Sequence, residues 1–193
     1  ISAYSKLGEL RQALFLLRDV NLETETYPHR YALLSFIKAC SSMKDMEIGS
    51  ELHTLLLNRQ RWVLVENDVF IGSALVSMHA KCGSLEKAQE IFDRLPTRDI
   101  VTWNSLLAGY VEHGHTLHAL EMFEEMQCGF VQPNNMLYSC ILTTCTNEGA
   151  ILQGRVIHAQ IIRDEFESDV IIGTALIDMY AKYGSVEEAR NVF

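Results

Sequence analysis

Apolar residues recur at three- and four-residue spacing along this chain, and short polar or glycine-bearing steps break the pattern. Between residues 100 and 134, Leu106, Leu107 and Tyr110 precede Gly114, and Leu117, Leu120, Met122 and Phe123 follow it before Gly129 and Pro133. That grammar predicts two helices joined by a turn. Glycines at 8, 83, 114 and 184 mark such turns. Ser84 and Ser185 stand where helix N-caps are wanted, and Ser185 to Glu188 spells a capping box, whereas Lys87 denies Ser84 the reciprocal acid.

The pattern also copies itself. Residues 71–85, IGSALVSMHAKCGSL, return at 172–186 as IGTALIDMYAKYGSV, an offset of 101 that also pairs Phe92 with Phe193. Tyr4 and Gly8 pair with Tyr110 and Gly114 at an offset of 106, and Cys40, Gly49 and His53 pair with Cys145, Gly154 and His158 at 105. Three unit types therefore run twice in order: 1–29 (partial), 30–68, 69–99, 100–134, 135–169 and 170–193 (partial). The larger offsets place about four extra residues in the first round near Gln60 to Val65. Helix pairs with apolar residues on both flanks bury them by stacking. The expected fold class is all-α, an α-solenoid of helix-turn-helix repeats wound as a right-handed superhelix, in a single array over 1–193.

Composition narrows the function classes. The chain is 48% hydrophobic without an apolar run long enough for a membrane span, so no membrane partner is expected. It begins and ends inside helical patterns, without an initiating Met or a targeting segment, as expected of a piece of a longer array. Five cysteines in no disulfide framework read as packed thiols. Cys40/His53 and Cys145/His158 share a spacing that invites a zinc reading. Three units separate the pairs, however, and zinc needs all its ligands within about 2.3 Å. His113, His115 and His118 surround a turn and read as surface residues, as do the paired acids Glu124-Glu125 and Glu187-Glu188. No phosphate loop, nucleophile elbow or deaminase zinc motif is present. Neither enzyme activity, nor a cofactor or metal, nor a small-molecule substrate is expected.

The segments TWNSLLAGYVEHG, YAKYGSVEEARNVF and GRVIHAQIIRDEFESDV resemble the pentatricopeptide repeat family. The three-type order resembles its plant subclass of alternating P, L and S motifs, with lengths of 35 for 100–134 (P), 35 for 135–169 (L) and 31 for 69–99 (S). On that pattern 30–68 is an L unit, and 1–29 and 170–193 are partial P and S units. The resemblance implies recognition of single-stranded RNA, one nucleotide per repeat. It further implies a mitochondrial or chloroplast setting, selection of a transcript site for C-to-U editing or processing, and contact with organellar RNA editing factor proteins.

In that family the fifth and last residues of each motif face the base. Carried over, these are Ser73 with Asp99, Asn104 with Asn134, Ser139 with Asp169 and Leu34 with Asp68, while Thr174 lacks its partner. Read without the resemblance, Ser73 and Asn104 would be helix caps. The second motif position flanks the base, here Phe70, Val101, Met136 and Ile171, although any solenoid could bury apolar residues there as core. Lysines at position 13 meet the RNA backbone, here Lys6, Lys81 and Lys182, while Ser42, Glu112 and Asn147 depart from the pattern. The implied base order is a purine, preferably G, at Ser73/Asp99, a pyrimidine at Asn104/Asn134 and a weaker G at Ser139/Asp169.

A net charge of −9 opposes phosphate binding unless the acids lie away from the groove. The rival expectation is a protein-interaction scaffold that holds a partner protein on the solenoid surface.

Overall fold

The computed structural model describes residues 4, 9–23, 30–57, 68–129 and 131–192. Its described residues form eleven helices and no strand. They are α1 (Leu10–Glu23), α2 (Arg30–Met43), α3 (Met46–Leu57), α4 (Val69–Lys81), α5 (Leu85–Arg94), α6 (Ile100–Glu112), α7 (Thr116–Cys128), α8 (Asn135–Glu148), α9 (Ile151–Arg163), α10 (Val170–Lys182) and α11 (Val186–Val192). The chain divides into two compact units, Ile1–Gly109 and Tyr110–Phe193. The lengthened segment expected near Gln60 to Val65, and Lys6, lie outside the described residues.

Turn chemistry explains where the helices stop. Gly83, Gly114 and Gly184 each take a positive φ of 71 to 81°, which a residue without Cβ adopts at little cost. The turn after α8 uses Gly149 at φ 75° in the same way. Its counterpart after α2 is Lys44, held in the left-handed region at φ 51°. There the Asp45 carboxylate accepts from Ile48 N at 3.1 Å and starts α3 at once.

One of the two expected serine caps is not made. Ser84 occupies the N-cap of α5 but makes no side-chain capping bond. The first helices of the pairs are capped by the carboxylates and the amide at the unit ends. Asp68 accepts from Phe70 N and Ile71 N, Asn134 from Leu137 N, and Asp169 from Ile171 N and Ile172 N. Asp99 accepts from Thr102 N at 2.8 Å.

Within the first unit, α2 packs on α4 and α4 on α5, so Phe36, Ile37, Leu52, Leu75, Ile91 and Phe92 are sealed from water. Phe92 meets Trp103 edge to face with centroids 4.6 Å apart, a geometry worth about 0.5–1.5 kcal/mol beyond its burial. Within the second unit, α8 packs on α7, α9 and α10 around Phe123, Leu137, Tyr138, Ile141, Ile161 and Met179. In both units the first helices of successive pairs lie side by side and the second helices cover them. This is the all-α, helix-pair arrangement of a solenoid.

Candidate nucleic-acid interface

The first helices carry the candidate residues because their period returns every fourth residue to one face. Position five of each motif therefore shares a face with positions nine and thirteen. In the first unit this puts Leu34, Lys38 and Ser42 of α2 beside Ser73, Ser77 and Lys81 of α4. With Phe70, Asp99, Val101 and Ser105 they line a groove of about 460 Å³. Six of the expected residues, Leu34, Phe70, Ser73, Lys81, Asp99 and Val101, thus meet in one cavity. Lys38 had no motif to mark it; its signal was the four-residue step from Leu34.

Position two separates the functional from the core expectation. Phe70 is 64% exposed, Val101 59%, Met136 67% and Ile171 55%, so none of the four is core. Tyr31, at position two of 30–68 and absent from the expected set, is 72% exposed. Exposing a large apolar side chain at the same position of five units leaves surface that packing does not explain. The Arg30 guanidinium lies 4.4 Å from the Phe70 ring centroid and also pairs with Asp68 Oδ2 at 2.8 Å.

Position five is not a helix cap. Ser73 and Asn104 lie inside α4 and α6, and Ser73 Oγ bonds back to Val69 O at 2.7 Å. Ser73 Oγ also sits 2.6 Å from Thr102 Oγ1, which donates to Asp99 Oδ1 at 2.5 Å. In the second unit, Ser139 is half-buried on α8, and Thr174 is exposed on α10 with its hydroxyl on Val170 O at 2.7 Å. Asn135 Nδ2 donates to Asp169 Oδ2 at 2.8 Å. That bond, and then the Ile172 and Ile171 amides, hold the Asp169 carboxyl below its ordinary range. Asn134 caps α8, and Lys182 is exposed at the end of α10.

The groove of the first unit holds two lysines against one aspartate. The acids Glu47, Glu51, Glu90 and Asp93 sit instead on α3 and α5, which contribute nothing to its lining, and pair with Arg11, Arg18, Arg94 and Arg98. In the second unit Glu188 is half-buried rather than free in solvent, and accepts from Arg155 at 2.6 Å.

The two Cys/His pairs do other work. Burial pushes the Cys40 thiol to about 12 and Cys145 to about 11, which keeps them protonated and poor metal ligands. His53 Nδ1 lies 3.0 Å from His79 Nε2, and His158 Nδ1 lies 2.9 Å from the Tyr180 hydroxyl, the same structural pairing in each round. No group of three or more His, Cys, Asp or Glu side chains converges for a metal among the described residues.

The model described as "PPR repeat family" matches residues 98–147, and that described as "PPR repeat" matches 73–100 and 174–193. A putative pentatricopeptide repeat-containing protein of Arabidopsis thaliana is 33% identical over 193 residues, which is 100% of this chain and 26% of the relative. A chloroplastic one from the same plant is 35% identical over 192 residues, 100% of this chain and 30% of its own length. A mitochondrial one is 33% identical over 194 residues, 100% and 18%. The chain thus spans less than a third of these relatives. The crystal structure of the maize pentatricopeptide repeat protein PPR10 superposes with a TM-score of 0.71 at 21% identity, over 99% of this chain and 27% of PPR10. PPR10 in complex with an 18-nt psaJ RNA element gives 0.63 at 21% identity, over 100% and 26%. With the repeats matched, relatives aligned along the whole of this chain and the helix pairs in place, this chain belongs to the pentatricopeptide repeat family.

Proposed function

We propose that this chain binds single-stranded RNA through the exposed face of its first helices, close to one nucleotide per repeat. The observation that carries the reading is the groove of the first unit. It gathers base-reading (Leu34, Ser73, Asp99), base-flanking (Phe70, Val101) and phosphate-facing (Lys81) candidates in one cavity with Lys38. Apolar side chains at position two stack on or press against base faces, which every base offers. Hydroxyl, amide and carboxylate groups at positions five and last meet the base edge. Lysines neutralise phosphate and release counterions. Asp68 and Asp169 each cap a helix with Oδ1 and bind Arg30 or Asn135 with Oδ2, so they reach a base through a remaining lone pair on an already fixed carboxylate.

The relatives named chloroplastic and mitochondrial support an organellar setting for the parent protein. Selecting a transcript site for C-to-U editing or processing, in P-L-S order and alongside organellar editing factor proteins, is the role that fits such an array. The chain supplies recognition, and chemistry comes from elsewhere. Selection of the 193-residue chain on a randomised single-stranded RNA library tests the reading. Enrichment of base columns that Ser73→Ala and Ser139→Ala each flatten at a single position supports it. Retention of no RNA, or of RNA without any base column, overturns base reading and favours a protein-interaction scaffold.

A further inference from the structure

We propose that Thr102 is a positioning residue that fixes Ser73 as a hydrogen-bond acceptor toward the base. The inference rests on the RNA-binding reading above. Thr102 stands at the third position of its unit, the first turn of α6, and is fully buried. Its hydroxyl lies between the two reading residues of the preceding unit, 2.6 Å from Ser73 Oγ and 2.5 Å from Asp99 Oδ1.

Proton counting sets the direction. A threonine hydroxyl has one proton and two lone pairs. A carboxylate oxygen accepts only, so the Thr102 proton goes to Asp99 Oδ1, which also takes the Thr102 amide at 2.8 Å. Two oxygens 2.6 Å apart need a proton between them; Ser73 supplies it, and because its hydroxyl also lies 2.7 Å from Val69 O, the one Ser73 proton is shared between these two inward acceptors. The order is Ser73 Oγ–H, shared with Val69 O, to Thr102 Oγ1–H to Asp99 carboxylate. Ser73, on the groove wall, then turns lone pairs rather than a proton to a base. It selects base edges that present an N–H at that point.

The other junctions lack the device. The corresponding third residues are Ile71, Leu137 and Ile172, none of which has a hydroxyl. Ser139 therefore keeps a hydroxyl that no such relay orients. Ser73 and Ser139, the same residue type at the same motif position, are expected to differ in selectivity because of what stands behind them.

Selection of the 193-residue chain on a randomised single-stranded RNA library is the test, with Thr102→Val, Thr102→Ala and Thr102→Ser beside the wild type and a Ser73→Ala control. Losing the hydroxyl should reduce base preference in the single column that Ser73→Ala flattens by about threefold to tenfold, the range of one hydrogen bond. Other columns should be unchanged, and Thr102→Ser should restore the preference. A column that Ser73→Ala flattens and that both Thr102→Val and Thr102→Ala leave intact overturns the inference while the RNA reading survives. If the valine variant does not fold, the alanine variant decides. If Ser73→Ala flattens no column, the RNA reading at this unit fails and the inference fails with it.

Discussion

Asn135 Nδ2 donates to Asp169 Oδ2 at 2.8 Å, joining the first residue of one repeat to its last. Repeat 30–68 does the same with an ion pair, Arg30 to Asp68 Oδ2 at 2.8 Å. Each of these two repeats is closed on itself, its last carboxylate held by its own N-terminal residue.

Asn135 is the main cause of the lowered Asp169 pKa, ahead of the Ile172 and Ile171 amides. Asn135→Ala should therefore move the Asp169 pKa up toward the ordinary carboxylate value, read by carboxyl-carbon NMR across pH 2 to 6. A depressed folded-state pKa means that Asp169 favours the fold above its unfolded value and that this support fades as pH falls through the folded one. The variant should show less of that fading. An unmoved titration would mean that the amide bond does not form in solution.

The His53–His79 pair makes the first unit acid-sensitive. Burial is the leading cause that lowers both, His53 to about 4 and His79 to about 3. The fold therefore holds both imidazoles neutral, and their contribution is complete above the ordinary value of 6.5. It is lost as pH falls from 6.5 toward about 4. At about 1.4 kcal/mol per unit, protonating the coupled pair removes on the order of 3 kcal/mol by pH 4. His79→Gln keeps a polar partner for His53 and deletes one titrating group. Urea midpoints measured from pH 7 to pH 4 should fall less in the variant; parallel curves would assign the acid loss to other groups.

Much of the architecture was legible because repetition multiplies a weak signal. Gly83 and Gly184 could each be an ordinary glycine, but at a shared register both read as turns, and both have positive φ. Lys44 was hidden because a left-handed lysine leaves no mark in sequence, although Gly149 stands at the same register one round later. The candidate residues were named through a family resemblance, and their neighbours were not. Thr102 and His79 sit among apolar residues and matter through a side chain from another helix, a relation that one-dimensional spacing does not encode. The exposure of Phe70 or Met136 was equally illegible, since periodicity marks a residue as apolar without saying which face stays uncovered.

Two glycines inside helices should respond oppositely to a methyl group. A Cβ on Gly109 would stand 2.6 Å from Ala80 Cβ and 3.2 Å from Ala80 Cα, so two backbones would have to part. Gly109→Ala should cost about 1–3 kcal/mol. A Cβ on Gly173 meets nothing within 4 Å, and Gly173→Ala should gain about 0.5–1 kcal/mol from helix propensity. Denaturant unfolding of both variants checks the pair, and equal shifts would contradict the close approach at Gly109.

Stacking and packing at position two have separable consequences. Phe70 is 64% and Met136 67% exposed, so truncating either removes little buried surface, and surface changes of this kind usually fall within about 0.5 kcal/mol. If these side chains flank bases, the loss falls on RNA affinity instead, at about 1–3 kcal/mol per stacked base. Phe70→Ala and Met136→Ala should therefore weaken binding to the selected RNA about fivefold or more while the urea midpoint stays in place. Because stacking does not depend on base identity, the sequence preference at those columns should persist even as affinity drops, unlike the response to Ser73→Ala. The control is Phe92→Ala, a fully buried ring whose loss should cost about 3–5 kcal/mol of stability. Should Phe70→Ala and Met136→Ala lower stability and leave RNA affinity untouched, position two would be part of the core in solution, and its exposure would carry no recognition.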